Sequence, residues 1–287
     1  MMKLLGAAKF PLILGNDFAG VVEDVGASVT GWRRCEWVFG CKAASRMGSH
    51  AEFVTVPAEQ VLRLPEPLTP EEAAAVPYSF VTAYRLIDAG LGWLGADCRK
   101  RRVLIHGGMG SVGSLAVRLL SNMGAVVDIS DCAPSIEDVV SRGGTEAVDL
   151  STYQQKTLAG KYDAVLNCAR FQDEETLFPL LKRGGRYATI VHPLIATIDE
   201  SGWVLGGLRA RAVWRQQADR VRAYGGEGYR WVLFKPDSRA FQALERLAVQ
   251  GQINPEIASV LNASDAASAH ALMSAGKQRG KAVLKMP

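Results

Sequence analysis

Residues 102–123, RVLIHGGMGSVGSLAVRLLSNM, limit the possible folds more than any other stretch of the chain. Val103, Leu104 and Ile105 form a short apolar run, with His106 beyond it. Gly108-x-Gly110-x-x-Gly113 follows. Then Val112, Leu115, Ala116, Leu119, Leu120 and Met123 recur at helical spacing, with Arg118 and Asn122 on the other face. The order is strand, glycine-rich turn, helix, the context in which a dinucleotide fingerprint carries meaning. Gly108 is expected to permit the tight turn, Gly110 the close approach of backbone to a pyrophosphate, and Gly113 the close packing of helix on strand. The backbone from Gly108 through Ser111 and Val112 would then present N–H groups and a positive dipole end to phosphates. A glycine-rich turn in a sheet protein that binds nothing is the alternative.

Downstream the pattern alternates. Candidate strands cover residues 103–106, 126–130, 147–150, 164–168, 186–191 and 229–234, with helical stretches between most of them, including 135–142 and 174–181. Such alternation predicts an α/β fold with a doubly wound parallel Rossmann sheet. Residues 237–250 read as an amphipathic helix with Phe241, Leu244, Leu247 and Ala248 inward and Gly251 past its end. Residues 281–286 end the chain as a short apolar strand.

Upstream, residues 11–61 are β-rich, with strands predicted at 18–25, 37–40 and 51–56. Residues 64–77 connect this part to the rest. They carry a short helix with Thr69 as N-cap, Pro70 at its first position and Pro77 as its end. Residues 81–89 read as helical. Three regions result: a partial β-rich domain over 1–78, a dinucleotide-binding domain over 79–236, and a helix and return over 237–287.

Composition narrows the class. No apolar run in the 287 residues approaches the roughly 18 needed to span a bilayer. Lys3 and Lys9 interrupt the first residues, which lack the apolar core of a secretory signal. The net charge of +4 is spread along the chain and suits an anionic cofactor. The five cysteines are scattered, without a CxxC, and read as reduced thiols. RNA binding through residues 99–102 and the arginines at 209, 211, 215, 220 and 222 is a further reading, though their spacing equally fits a solvated helix face.

Several motifs occur in one order: Pro11-Leu-Ile-Leu-Gly15-x-Asp17-x-Ala19-Gly20, Val25-Gly26, Val38-Phe39-Gly40, Ala74-Ala-Val-Pro77, Thr82-Ala83-Tyr84, the glycine fingerprint, Lys182-Arg-Gly184-Gly185-Arg186 and Arg279-Gly280-Lys281-Ala-Val283. Together they resemble the medium-chain dehydrogenases/reductases. Within that family the chain is similar to the zinc-free quinone oxidoreductase branch, and residues 228–234 resemble the mitochondrial reticulon-interacting oxidoreductases.

The resemblance implies a GroES-like catalytic domain beside the Rossmann domain, with the cofactor in the cleft between them. It implies hydride transfer from NADPH to a quinone or another α,β-unsaturated carbonyl, and homodimers through the last Rossmann strand. It implies that Thr82 borders the nicotinamide and that Lys281 contacts the cofactor. Asn16, Asp17 and Tyr78 would face the substrate, with Tyr78 or water supplying a proton. The plainer alternatives are that Tyr78 is a packing aromatic, Asp17 a structural carboxylate and Asn16 a brace.

The chain also departs from the family pattern. Zinc-dependent members carry Gly-His-Glu where this chain has Gly15-Asn16-Asp17, and the four histidines lack metal-ligand spacing, so no zinc is expected. His106 reads instead as a strand-end residue with satisfied hydrogen bonds. Asp131 lies 18 residues after Gly113 (131 − 113), where an acid accepts from a ribose 2′-OH and repels a 2′-phosphate. The residue points to NADH and the branch to NADPH, and the resemblance tips the choice to NADP(H). Arg170 stands near where the branch has a Gly-Gly pair, and would narrow the site, meet phosphate or mark a degenerate one. Family members also have more chain ahead of the Pro11 motif. That implies a shortened isoform or a variant with an open, incomplete GroES-like domain; residence is mitochondrial by resemblance, cytoplasmic if the chain is complete. A nucleotide-binding protein without turnover, acting through protein partners, is the competing reading.

Overall fold

The computed structural model describes residues 12–43, 48–131, 135–150, 156–275 and 280–287. Pro11, Cys132, Ala133, Pro134 and Arg279 lie outside them. The chain divides into two compact units, one of Thr82–Leu233, the other of the described residues up to Val81 with Phe234–Pro287.

In the second unit, β1 (Asp17–Val21) pairs antiparallel with β2 (Trp37–Cys41), and β2 with β3 (Val61–Arg63). The third strand is not the expected 51–56, which joins no ladder and leaves Phe53 exposed. The 3-10 turn Ala58–Gln60 explains the shift. It lies so close to β2 that a Cβ on Gly40 would sit 2.1 Å from the Gln60 carbonyl oxygen, and it delivers Val61 alongside Gly40.

α1 (Pro70–Ala74) has the expected start. Thr69 accepts from the Glu72 N–H, while the Glu72 carboxylate accepts from the Thr69 N–H. Pro77 does not end this helix. It opens the next, α2 (Pro77–Arg85), at a position where the missing N–H is no loss. A π-type turn, Leu86–Leu91, continues α2 and stops at Gly92 with φ +66°.

The first unit holds the expected parallel sheet. Its strands are β4 (Arg102–His106), β5 (Val126–Ser130), β6 (Glu146–Ala147), β7 (Tyr162–Asn167), β8 (Leu181–Thr189) and β9 (Gly228–Trp231). Their order is β6-β5-β4-β7-β8-β9, all parallel, which reverses direction between β4 and β7. Ligands of such sheets bind outside the carboxyl ends of the strands at that reversal. β8 begins earlier than expected. The strand was expected from 186, yet it runs from Leu181, and Gly184 (φ +79°) forms a bulge inside it, where the register against β7 shifts.

α3 (Ser111–Asn122) follows the glycine-rich turn, and α4 (Ile136–Ser141) is capped by Ser135. α5 (Glu174–Leu177) is short. α6 (Leu194–Ala223) consists of two helical segments meeting at Gly202, whose φ is +76°. In the second unit, α7 (Ser238–Val249) is capped by Asp237 and buries Phe241, Leu244 and Ala248 as expected, with Leu247 half-buried. Two elements there were not foreseen: β10 (Ile257–Asn262), parallel to β11 (Lys281–Lys285), and α8 (Ala266–Ser274) between them.

Two carboxylates are fully buried in the first unit. Asp128 accepts from Arg102 Nε at 2.7 Å and from the Tyr162 hydroxyl at 2.9 Å, tying β4, β5 and β7 together. Among the described residues Glu174 has no such cation as a bonded partner. It lies among Phe178, Tyr187 and Tyr229 and accepts from the Tyr229 hydroxyl at 2.9 Å. Burial pushes its carboxyl from the ordinary 4.5 up to about 8. Between those values the folded chain holds a proton that the unfolded chain has released, so stability falls as pH rises through this window. Glu174→Gln keeps the shape and removes the titration. Thermal melts from pH 5 to 8 should therefore fall less steeply for the variant, with its advantage over the native chain largest at pH 8. Parallel curves would show that Glu174 does not titrate there.

Candidate nucleotide-binding turn and polar pocket

The first unit brings the glycine fingerprint to the sheet's reversal point. The left-handed residue of the turn is Gly107 (φ +79°), not Gly108, and the Gly110 N–H returns to the Gly107 carbonyl at 3.1 Å. Gly107 was not singled out from the sequence, although the Gly-Gly pair carries it. Gly108 is needed because a Cβ would lie 2.6 Å from Ile129 Cγ2. Gly113 is needed more strictly, since its Cβ would lie 2.1 Å from the Gly107 carbonyl oxygen.

Gly110 differs. An added Cβ there would meet only the Gly107 oxygen, at 3.4 Å, an ordinary contact. Neither packing nor dihedral angle demands glycine, for φ is −77°. Gly110 is also the N-cap of α3, and no side chain caps that end. The N–H groups of Ser111, Val112 and Gly113 precede Ser114, whose N–H bonds to the Gly110 carbonyl. The bare backbone at Gly110 and these donors form a cradle that suits a phosphate.

Polar side chains frame the turn. Asp131 accepts from the Met109 N–H at 3.0 Å, so its carboxylate is held against the turn. His106 has the satisfied bonds expected of it, Nδ1 to Ser130 Oγ at 3.0 Å and Nε2 to Asp173 at 2.9 Å. Asn167 braces the loop after β7 through the Ala169 N–H and the Arg170 carbonyl. The exposed Arg170 guanidinium rests on Asp173. Thr82 is buried on α2.

The second unit has a cavity of about 1280 Å³. Asn16, Asp17, Tyr78 and Lys281 all line it. Asp17 is the hub. One carboxylate oxygen accepts from the Tyr78 backbone N–H at 2.5 Å, the other from Lys281 Nζ at 2.8 Å, and its carbonyl accepts from Ser49 Oγ at 2.6 Å. Lys281 is thus brought to Asp17. Asn16 donates through Nδ2 to the Lys42 carbonyl at 3.1 Å. The Tyr78 ring stacks on Phe234 at 4.0 Å. Burial, then the nearby Asp17 and Cys41, push its phenol up, so it stays protonated. His50 and His270 face each other in the same cavity, ring centroids 6.0 Å apart. Burial and then His270 hold the His50 imidazole below its ordinary value. No spacing rule finds this pair, because distant elements supply the two rings. Among the described residues no three His, Cys, Asp or Glu side chains converge as a metal site would require.

Comparison with known proteins gives this arrangement a family. Residues 137–284, just over half the chain, match the family described as zinc-binding dehydrogenase, and residues 1–66 match the alcohol dehydrogenase GroES-like domain. The chain belongs to the medium-chain dehydrogenase/reductase superfamily. It is 30% identical over 287 residues to the mitochondrial NAD(P)H oxidoreductase RTN4IP1 of Danio rerio, covering 97% of this chain and 73% of that protein. The Drosophila melanogaster protein of the same name is 32% identical over 295 residues, covering 97% and 70%. Among solved structures, the Coxiella burnetii quinone oxidoreductase superposes with a TM-score of 0.77 at 21% identity, covering 99% of this chain and 82% of that one. This medium-chain dehydrogenase/reductase therefore shares its fold with proteins of low sequence identity.

The two glycines separate folding from binding. Gly113→Ala should prevent the turn from forming and yield little folded protein. Gly110→Ala should fold with a loss of about 1 kcal/mol or less, the usual scale at an N-cap, and lower dinucleotide affinity by at least about tenfold, equivalent to about 1.4 kcal/mol. Thermal melts and NAD(P)H fluorescence titrations check both; full affinity in Gly110→Ala would remove the cradle.

Proposed function

We propose that this chain is a zinc-independent, NAD(P)H-dependent oxidoreductase that delivers hydride to a quinone or an α,β-unsaturated carbonyl. The observation that carries the reading is Gly110, a glycine that neither packing nor dihedral angle requires, at a helix N-terminus that no side chain caps. The relatives' names, NAD(P)H oxidoreductase and quinone oxidoreductase, support the reaction class. When bound, the dinucleotide supplies the hydride.

The chain's own residues do the rest. Ser111, Val112 and Gly113 would donate N–H groups to the pyrophosphate, with Gly108 and Gly110 keeping the backbone bare. Thr82 would border the nicotinamide. Asn16 and Tyr78 would orient the acceptor, and the protonated Tyr78 phenol would hand over the proton that completes reduction. Asp17 would fix Tyr78 through its backbone N–H. Lys281, with three N–H donors and one given to Asp17, would keep donors for the cofactor. Zinc independence is supported by Asn16, whose amide nitrogen donates to the Lys42 carbonyl, its lone pair delocalised into the amide, so that it offers no imidazole-like nitrogen to zinc.

The ribose decides the cofactor. NADP(H) is the form that the branch favours, and a mycobacterial protein of the same fold, 22% identical, was solved with NADPH. Asp131, held on the Met109 N–H, opposes a 2′-phosphate. Residence in mitochondria is supported by the relatives' names, and a homodimer by the open edge of β9.

Equilibrium titration with NADPH and NADH, followed by cofactor oxidation on adding 9,10-phenanthrenequinone, tests the reading. Binding and turnover are expected. Binding without turnover on a panel of quinones and enones would favour a nucleotide-binding protein that acts through partners. Tyr78→Phe keeps the stack on Phe234 and should lower kcat by about 100-fold, the scale of a lost general acid. An unchanged kcat would assign the proton to water.

A further inference from the structure

The corner of α6 is built to stay bent. Gly202 takes a left-handed conformation there, and Gly206 packs so closely that a Cβ would lie 2.5 Å from both the Thr197 carbonyl oxygen and Ile198 Cα. Arg209 bridges back to the Ser201 hydroxyl. The residues this corner presents are apolar: Trp203 is 66% exposed, Val204 80%, Leu205 49% and Leu208 61%. Four such neighbours in one turn and a half form a contiguous apolar patch rather than scattered surface residues.

Asp199 and Glu200 precede the corner, and the charge that follows the patch along the helix has one sign. From residue 203 to residue 218 the chain has three arginines, at 209, 211 and 215, and no carboxylate. Val204, Leu208, Arg211 and Arg215 follow at i, i+4, i+7 and i+11, which places them on one helix face. At about 1.5 Å per residue, Arg211 stands roughly 10 Å along the axis from Val204. No described helix is long and apolar enough to cross a membrane.

We propose that this corner docks on an anionic lipid bilayer, with Trp203, Val204, Leu205 and Leu208 in the interface and Arg211 and Arg215 on lipid phosphates. Apolar tip and cationic collar together fit a surface that offers hydrocarbon beneath negative charge.

Flotation of the full chain with vesicles tests the assignment, using zwitterionic phosphatidylcholine alone or with roughly one-third phosphatidylserine, at low and high salt. Binding should require the anionic lipid and weaken with salt. Val204→Asp with Leu208→Asp, and separately Arg211→Glu with Arg215→Glu, should each lower binding at least about tenfold, with unchanged melting temperature and nucleotide titration. Brominated lipid should quench the native chain more than Trp203→Phe. No vesicle binding at low salt, or binding unaffected by both double variants, would overturn the proposal. So would a native dimer that Val204→Asp with Leu208→Asp converts to monomer without any vesicle binding, for then a second copy covers the corner.

Discussion

The first unit depends on one contact between two stretches of backbone. Gly113 on α3 lies against the Gly107 carbonyl with no room for a side-chain atom. That approach brings the start of α3 onto the end of β4 and aims its N–H groups out past the strand ends. Gly107 can turn left-handed there only because it too lacks a Cβ, and the Ala169 amide occupies the space such an atom would take. The loop after β7 is thereby held against the turn after β4, on both sides of the point where strand order reverses. Asn167, Asp173 and His106 hold that loop by hydrogen bonds from three directions.

The second unit depends on a carboxylate instead. Asp17 joins the start of α2 to β11, whose lysine lies 264 positions away in the chain. Its two oxygens are satisfied by a backbone N–H and an ammonium, so the charge is compensated where it is half-buried. This favours the plainer of the two readings of Asp17, a structural carboxylate held by the Tyr78 N–H and Lys281.

How much could be read in the sequence followed from how local the cause was. The parallel sheet was legible because each strand-turn-helix unit writes its own period, and the α1 cap because all its partners lie within four residues. What failed had causes remote in sequence. Residues 51–56 alternate like a strand, but the Ala58–Gln60 turn against Gly40 gives the ladder to Val61–Arg63. Pro77 looks the same whether it ends one helix or begins the next. The early start of β8 was not legible because the bulge at Gly184 interrupts the apolar alternation of the strand. In the site, the fingerprint glycines were legible, while the Asp17–Lys281 bond and the His50–His270 pair are products of the tertiary fold.

The fold also sorts residues that a motif groups together. Gly108, Gly110 and Gly113 look equivalent in the fingerprint, yet two are demanded by the protein's own atoms and one is not. Asp131 shows a different coupling. Because it is bonded to the Met109 N–H, the residue that stiffens the turn is also the one that the proposed function sets against the ribose. A 2′-hydroxyl would add a donor to a carboxylate already in place. Under the proposed function a 2′-phosphate would bring a dianion against this carboxylate, and a preference for NADPH would be met most simply by Asp131 moving off the Met109 N–H.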